Sequence, residues 1–409
     1  MKNYLTFLSR CLRLLFVGDW RYYAWLGALT VVCMLGLNAY AKQFVQGLGA
    51  TGMTDQVSWG VYIANFTFLV GMAAAAVMMV IPVYIYKNED LHDLVIFGEL
   101  LAVAAILMCL AFVTVDLGRA DRFWHLIPGI GVFHFPGSML SWDVLVLNGY
   151  LLLNLHICGY TIYCRYCGRR PARWFYIPFV FIGIAWAVSI HTITAFLYVG
   201  LGGRPFWNSA VIGPRFLASA FTAGPAFIIL TLQVIRKFCD YRITDRALLA
   251  LRSIVQVSML INLFLLANEV FTDFYTTDRN MASTRYLFLG LHGFHALVPW
   301  IWTAITLNVT SAVLLMLPLS RRVTWLNIAC ALTVCGIWIE KGMGMVIPGF
   351  IPSPLGEMVE YTPTLNEDLI CLGIWAFGFL CFTLFLRMSV PILEGKLSQA
   401  NERPAAGNA

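Results

Sequence analysis

Ten apolar stretches follow one another along the chain: 22–41, 58–86, 94–116, 140–164, 174–200, 214–235, 251–274, 286–314, 323–348 and 368–390. Each is long enough, at about 1.5 Å of rise per residue, to carry a helix across about 30 Å of hydrocarbon. The pattern predicts an all-α polytopic membrane protein with ten transmembrane helices. The eighth stretch has residues to spare and is expected to tilt or to protrude from the bilayer. Polar side chains recur within spans 2–5 and again within spans 6–9, which predicts two four-helix bundles flanked by spans 1 and 10. The corresponding divisions are an amphipathic arm (1–21), span 1 with the first bundle (22–200), the second bundle with span 10 (201–390), and a tail (391–409). The last residues, 401–409, read as disordered.

Composition narrows the class. The chain has 409 residues, 60% apolar and only 12% charged, with 13 Trp, 33 Gly and a mean hydropathy of +0.77. That balance excludes a soluble multidomain protein. Residues 1–20 carry Lys2, Arg10 and Arg13 but no small-residue cleavage site behind a short apolar core, so a membrane-surface arm is expected rather than a cleaved leader. The net charge of +6 does not point to nucleic acid, because the basic residues sit in loops beside spans. With the N-terminus inside, nineteen of the 27 Lys and Arg fall in inner segments. This bias predicts a multi-pass protein of the cytoplasmic membrane with both termini cytoplasmic. The loops 116–143, 201–213, 275–285 and 349–367 then face outward, where they either connect spans or dock an extrinsic protein.

Eleven cysteines are scattered, mostly inside spans, where they act as small buried hydrophobes. Cys164 and Cys167 form one C-x-x-C, and no second pair completes a four-ligand zinc or iron–sulfur set. No metal site is expected. A bis-histidine haem is not expected either: His156 and His191 differ in depth by roughly 14 Å along the membrane normal.

The densest polar stretch runs from Asp116 to Asp143, with three acids (Asp116, Asp121, Asp143), two arginines (Arg119, Arg122) and two histidines (His125, His134). Charge so close to hydrocarbon is costly unless paired or functional. Asp116 and Arg119 are spaced to pair along a continuing helical turn. Span 2 enters with Trp59, Tyr62 and Asn65, then passes Gly71 and Ala73–Ala76, a run better suited to close helix packing than to a ring-sized slot. Asp116, Asp143 (after Trp142), His191 and Asn65 fall at similar depth in the outer half of spans 2–5. A second set lies in spans 7–9: Asn262, Asn268, Glu269, Asp273, His292, His295, Glu340 and Lys341. Glu269, His292, His295 and Glu340 are candidates for a proton path, His292 and His295 being placed on one helix. A buried structural pair is the equal alternative.

The motifs SWGVYIANFTFLVGM (58–72), VDLGRADRFWHL (115–126) and SWDVLVLNGYLLLN (141–154) resemble the NrfD/PsrC family of quinone-interacting membrane subunits. The layout is similar to its ten-span branch, and within it to the DsrP type associated with sulfite reduction. The resemblance implies a subunit without its own haem or metal. Such a subunit exchanges electrons between a quinone (menaquinone or ubiquinone) and an extrinsic iron–sulfur protein on the outer face. Multihaem cytochrome c and other membrane subunits are implied as further partners. It carries the pocket onto Asp116, Arg119 and Asp143, with His191 added by depth. Asp143 and His191 are expected to exchange protons and hydrogen-bond the carbonyls, Asn65 to be a second donor, Arg119 to orient the carboxylates or polarise the ring oxygen, and Trp59, Tyr62 and Trp142 to wall the headgroup. Some members place a His in span 2 where this chain has alanines. Two other classes stay open: a secondary transporter using the mid-membrane acids and histidines, and a structural anchor for peripheral redox subunits.

Overall fold

In a computed structural model the described residues are 2–239, 241–275 and 278–399. The rest of the tail, from 400 on, lies outside them. Among the described residues there are helices and isolated bridges but no strand. Ten helices among the described residues are long and apolar enough to cross a membrane. They are span 1 (Trp20–Gln46), span 2 (Val61–Tyr84), span 3 (Val95–Asp116), span 4 (Met139–Tyr166), span 5 (Arg173–Val199), span 6 (Ile212–Phe238), span 7 (Asp245–Tyr275), span 8 (Val298–Met316), span 9 (Val323–Phe350) and span 10 (Leu365–Leu393). A helix satisfies its backbone hydrogen bonds within itself, as any segment surrounded by hydrocarbon has to do.

The helices close into two rings. Span 2 packs on span 3, span 3 on span 4, span 4 on span 5, and span 5 back on span 2; spans 6, 7, 8 and 9 close likewise. The rings meet where span 2 lies against spans 6 and 9 and span 5 against span 6. Spans 2 and 3 are the most enclosed, with 83% of their most apolar stretch buried, against 17% for span 1. Spans 1 and 10 pair with each other, and span 10 lies along span 3. Their contact is set by glycine: a Cβ on Gly36 would lie 2.6 Å from the Cα of Gly373.

The alanine run serves packing. Ala74–Ala76 tighten into a 3-10 turn inside span 2, and span 6 crosses there at Gly224, whose Cβ would sit 3.0 Å from the Cα of Ala75. Small residues let the two bundles approach backbone to backbone.

With an even number of spans, both described ends lie on one face, here called the terminal face; the other is the distal face. The arm forms a helix (Lys2–Leu15) that buries Phe7 and Cys11 and seats Arg10 on the Tyr166 hydroxyl at 2.8 Å. Nearby, Asp93 of the 85–94 loop pairs with Arg165, and His92 and Arg165 together hold its carboxyl down at about 2.

Two stretches depart from the expected helices. The eighth run is not continuous: a helix over Asp278–Leu289 ends in a turn with positive φ at Gly290, His292 and Gly293, and span 8 starts only at Val298. Span 9 changes character after Lys341, where Gly342–Val346 widen into a π-helical turn, a feature frequent at functional sites.

The distal cap is organised by Glu367 in the first turn of span 10. Its carboxylate accepts from Gly52 N (2.7 Å), Thr364 N (2.8 Å) and the Tyr361 hydroxyl (2.6 Å). Thr364 answers as the N-cap, completing a capping box. Burial and the neighbouring Glu367 push the Tyr361 phenol up, so it stays a donor. Glu367→Ala should cost roughly 2–3 kcal/mol through the lost cap and the orphaned donors. Thermal melting of the purified protein checks this; an unchanged midpoint would mean that water replaces the carboxylate.

Candidate functional site

The predicted residues fall into three places rather than one pocket. The first is a recess at the distal ends of spans 1 and 3, about 470 Å³ in volume, whose walls include Tyr40, Gln43, Phe44, Leu117, Arg119 and Asp121. Phe44 and Val45 stand exposed at its rim, in the last turn of span 1. Span 3 ends at Asp116 and the backbone turns extended at Leu117, so Arg119 swings out of the helical register. Its guanidinium therefore pairs not with Asp116, as the spacing suggested, but with Asp121, through two bonds of 3.0 and 2.9 Å. That pair holds the Asp121 carboxyl below its usual range. Asp116 sits one residue from the recess wall, and its Oδ1 is buried without a hydrogen-bond partner. Gln43 ties the wall inward: its amide donates to Val115 O at 2.7 Å and accepts from the Tyr62 hydroxyl at 2.6 Å.

Asn65, one turn below Tyr62, has no spare hydrogen bond. Its amide donates to Val61 O at 2.9 Å, and its oxygen accepts from Trp338 at 3.0 Å and Trp375 at 2.9 Å. It knots spans 2, 9 and 10 together. Trp59 packs in an aromatic cluster with Tyr198, Trp207 and Phe350, ring centroids 5.5–5.8 Å apart. Trp142 turns away from the bundle toward Phe135 (4.4 Å) and the carbonyl of Pro136 (2.9 Å).

The second place is inside the first bundle. Asp143 is buried and accepts from Thr194 at 3.2 Å. One turn back on span 5, His191 is also buried, its Nδ1 3.0 Å from the carbonyl of Ala187. A carbonyl only accepts, so Nδ1 carries the proton and Nε2 the lone pair. The hydroxyls of Tyr198 and Thr67 hydrogen-bond between spans 5 and 2.

The third place is the core of the second bundle. Arg215 is 2% exposed. It makes a direct ion pair with Glu269 and a second, at 3.1 Å, with Glu340. Asn262 (3.1 Å) and Asn308 (2.8 Å) donate to the same Glu340 carboxylate. Glu269 and Glu340 therefore do belong together, joined by an arginine. His292 and His295 do not belong with them: both are exposed in the distal turn before span 8, off any helix, because glycines on either side of His292 let the chain reverse there. The i, i+3 spacing that predicts one helix for both fails here, because positive φ at Gly290, His292 and Gly293 breaks the helix. Among the described residues no group of three or more His, Cys, Asp or Glu converges to hold a metal ion.

Three contributors went unnoticed in the sequence. Arg215 stands at the start of the sixth apolar run and carried a signal, since an arginine that close to hydrocarbon needs a carboxylate. Gln43 gave none, because its Val115 partner lies 72 residues away; Glu367 carried a capping-box signature with Thr364 ahead of the last apolar run, but its reach to Gly52, 315 residues away, left no trace.

Comparison with known proteins accords with this architecture. A chain from Halobacterium salinarum, named as a putative membrane subunit of dimethyl sulfoxide reductase, is 23% identical, the alignment covering 89% of this chain and 90% of that one. The Hdr-like menaquinol oxidoreductase integral membrane subunit of Archaeoglobus fulgidus is 21% identical, with 93% and 96% covered. A selenate reductase subunit from Mesobacillus selenatarsenatis is 21% identical, with 92% and 96% covered. The family profile described as polysulphide reductase, NrfD, matches residues 49–351, well over half of the sequence, and the chain belongs to the NrfD family of integral membrane subunits.

Proposed function

We propose that this chain is the quinone-reactive membrane subunit of a respiratory oxidoreductase complex, taking its ring substrate at the distal face. The observation that carries the reading is the recess beside Asp116. At about 470 Å³ it falls within the roughly 300–1,000 Å³ of small-molecule sites. It opens beside lipid-facing Phe44 and Val45, so a carrier dissolved in the bilayer reaches it without crossing water. Its wall alternates ring-stacking surface (Tyr40, Phe44) with polar groups (Gln43, Arg119). Arg119 spends two of its five N–H groups on Asp121 and keeps others for a ring carbonyl.

Quinone chemistry moves two protons with two electrons, so a proton acceptor has to stand at the ring. Asp116, with one buried carboxylate oxygen unbonded, takes that role in our reading. Asp143 and His191 lie deeper and pass protons on. Glu269 and Glu340, clasped by Arg215, offer a path through the second bundle for protons moved beyond those of the ring chemistry. Electrons cross the distal face to or from an extrinsic iron–sulfur protein. Relatives are named for dimethyl sulfoxide, menaquinol and selenate chemistry. We therefore assign the choice of acceptor, DsrP-type sulfur chemistry included, to the partner proteins and not to this chain. The basic bias of the terminal-face loops supports termini in the cytoplasm.

Photolabelling tests this reading. A photoreactive quinone analogue added to the complex in its native membrane should label residues 40–48 and 117–121, and excess natural quinone should compete the label away. Competable labelling elsewhere, or none, would refute the recess as the site.

A further inference from the structure

The terminal-face ends of spans 7, 8 and 9 carry positive charge that the described residues do not neutralise. Arg252 stands on span 7, about 10 Å from its start by helix rise, and is partly buried. Its Nε donates to Ser320 Oγ at 2.7 Å and its Nη2 to the carbonyl of Leu315. Ser320 is buried and lies in the short turn Pro318–Arg321 between spans 8 and 9, where it donates to Leu317 O at 2.9 Å. These bonds fix the turn against span 7 and bring the charge of Arg321 to bear on Arg252. Arg322 follows directly, as the residue that leads into span 9; both it and Arg321 are exposed. Among the described residues none of the three pairs with a carboxylate. Asp245, the acid that opens span 7, is already bound to Arg236 at 2.7 Å.

Arg215 shares its burial with two carboxylates; Arg252 has only a hydroxyl and a carbonyl. Those partners satisfy N–H groups but bring no opposite charge, and neither bond uses Nη1. A partly buried guanidinium beside like charge is costly until an anion joins it. The surroundings narrow the kind of anion. At the same ends of spans 7 and 8 the side chains of Val257, Leu260, Val313 and Met316 are apolar and exposed. Trp325, in the first turn of span 9, is exposed as well, as such rings are at headgroup level. A phospholipid matches both features, its phosphate oxygens taking the arginine fork and its chains covering the apolar flank. A free anion or an acidic peptide matches the charge alone.

We propose that Arg252, Arg321 and Arg322 hold the phosphate of one anionic phospholipid at the terminal face of the second bundle. The headgroup supplies the counter-charge that these arginines lack, and it ties span 7 to the turn before span 9. The lipid thereby braces from outside the same bundle that Arg215, Glu269 and Glu340 organise from within. The site does not depend on the quinone reading above.

The test is native mass spectrometry of the complete complex, washed in detergent and then titrated with phosphatidylglycerol. The wild type should hold one phosphatidylglycerol more than the variant R252Q/R321Q/R322Q. In the variant that site should be roughly 100-fold weaker, about fivefold for each cation removed. Phosphatidylcholine, with the same chains and no net charge, should not fill it. The control is R169Q/R170Q/R173Q, which removes three exposed charges from the same face at the first bundle and should keep the site. Equal loss in both variants would mean a general attraction of the basic face for anionic lipid, and overturns the proposal. A wild type that holds no more lipid than the variant overturns it too. So does inorganic phosphate that displaces phosphatidylglycerol at equal concentration, which would mark a free-anion site. Should the triple variant fail to assemble, R322Q alone, at an exposed position, should weaken the site about fivefold; unchanged affinity there overturns the clamp.

Discussion

Replacing Arg215 with Met should lower the stability of the protein by about 3–5 kcal/mol, because it strands two carboxylates in the second bundle. Arg215 is in direct contact with Glu269 and 3.1 Å from Glu340, and all three side chains are buried. Asn262 and Asn308 donate to Glu340 but carry no charge, and Lys341 makes no ion pair with either acid, its Nζ lying 4.2 Å from the centre of the Phe216 ring. Met fills the space of the arginine stem and supplies none of its donors. The stranded acids then take up protons or draw in water, and either route opens the packing of spans 6, 7 and 9. The measurement is a thermal or detergent-denaturation midpoint of the purified protein, read by its tryptophan fluorescence. The triple variant Arg215→Met, Glu269→Gln, Glu340→Gln should recover most of the loss, since no charge then remains to be paired. A single variant as stable as wild type would show that the arginine does not hold the bundle together.

The sequence made the spans legible because hydrocarbon tolerates so few charges that the interruptions mark the loops. It also grouped Glu269 and Glu340 in one polar set, though with His292 and His295, which lie in the distal turn, and without Arg215, which joins the two acids. It misled where a local rule was carried past the end of its element. Asp116 and Arg119 are spaced to pair on a helix, but the helix stops at Asp116 and the backbone is extended from Leu117, so the arginine meets Asp121. The apolar run through 286–314 hid the break between two helices. Gly290, Gly293 and Pro299 were the warning, since two glycines within four residues punctuate a helix more reliably than hydropathy continues it. The remaining features had no local trace. The Asn65 knot takes donors from Trp338 and Trp375, and the Glu367 cap reaches Gly52. Such contacts depend on which spans become neighbours, which periodicity does not encode.

Asp116→Asn should reduce quinol turnover by the complex about 100-fold or more, the scale of a lost proton acceptor, with little change in KM. The substitution keeps the shape and the hydrogen-bonding oxygen but removes the ability to take a proton. Asp116 is placed for this task by what it lacks: one buried oxygen has no partner, whereas Glu367 is saturated by its donors and Asp121 is held by Arg119. A carboxylate already bonded to several donors resists protonation; one with an unbonded oxygen does not. Asp121→Asn at the same recess is thus the control, and should leave turnover largely intact because its charge is already spent on Arg119 at the surface. Stopped-flow oxidation of a quinol analogue by the purified complex measures both variants. Equal rates for Asp116→Asn and wild type would move the proton acceptor away from the recess, toward Asp143 and Thr194. A loss in Asp121→Asn as large as in Asp116→Asn would mean that the recess responds to its overall charge and not to one proton-accepting group.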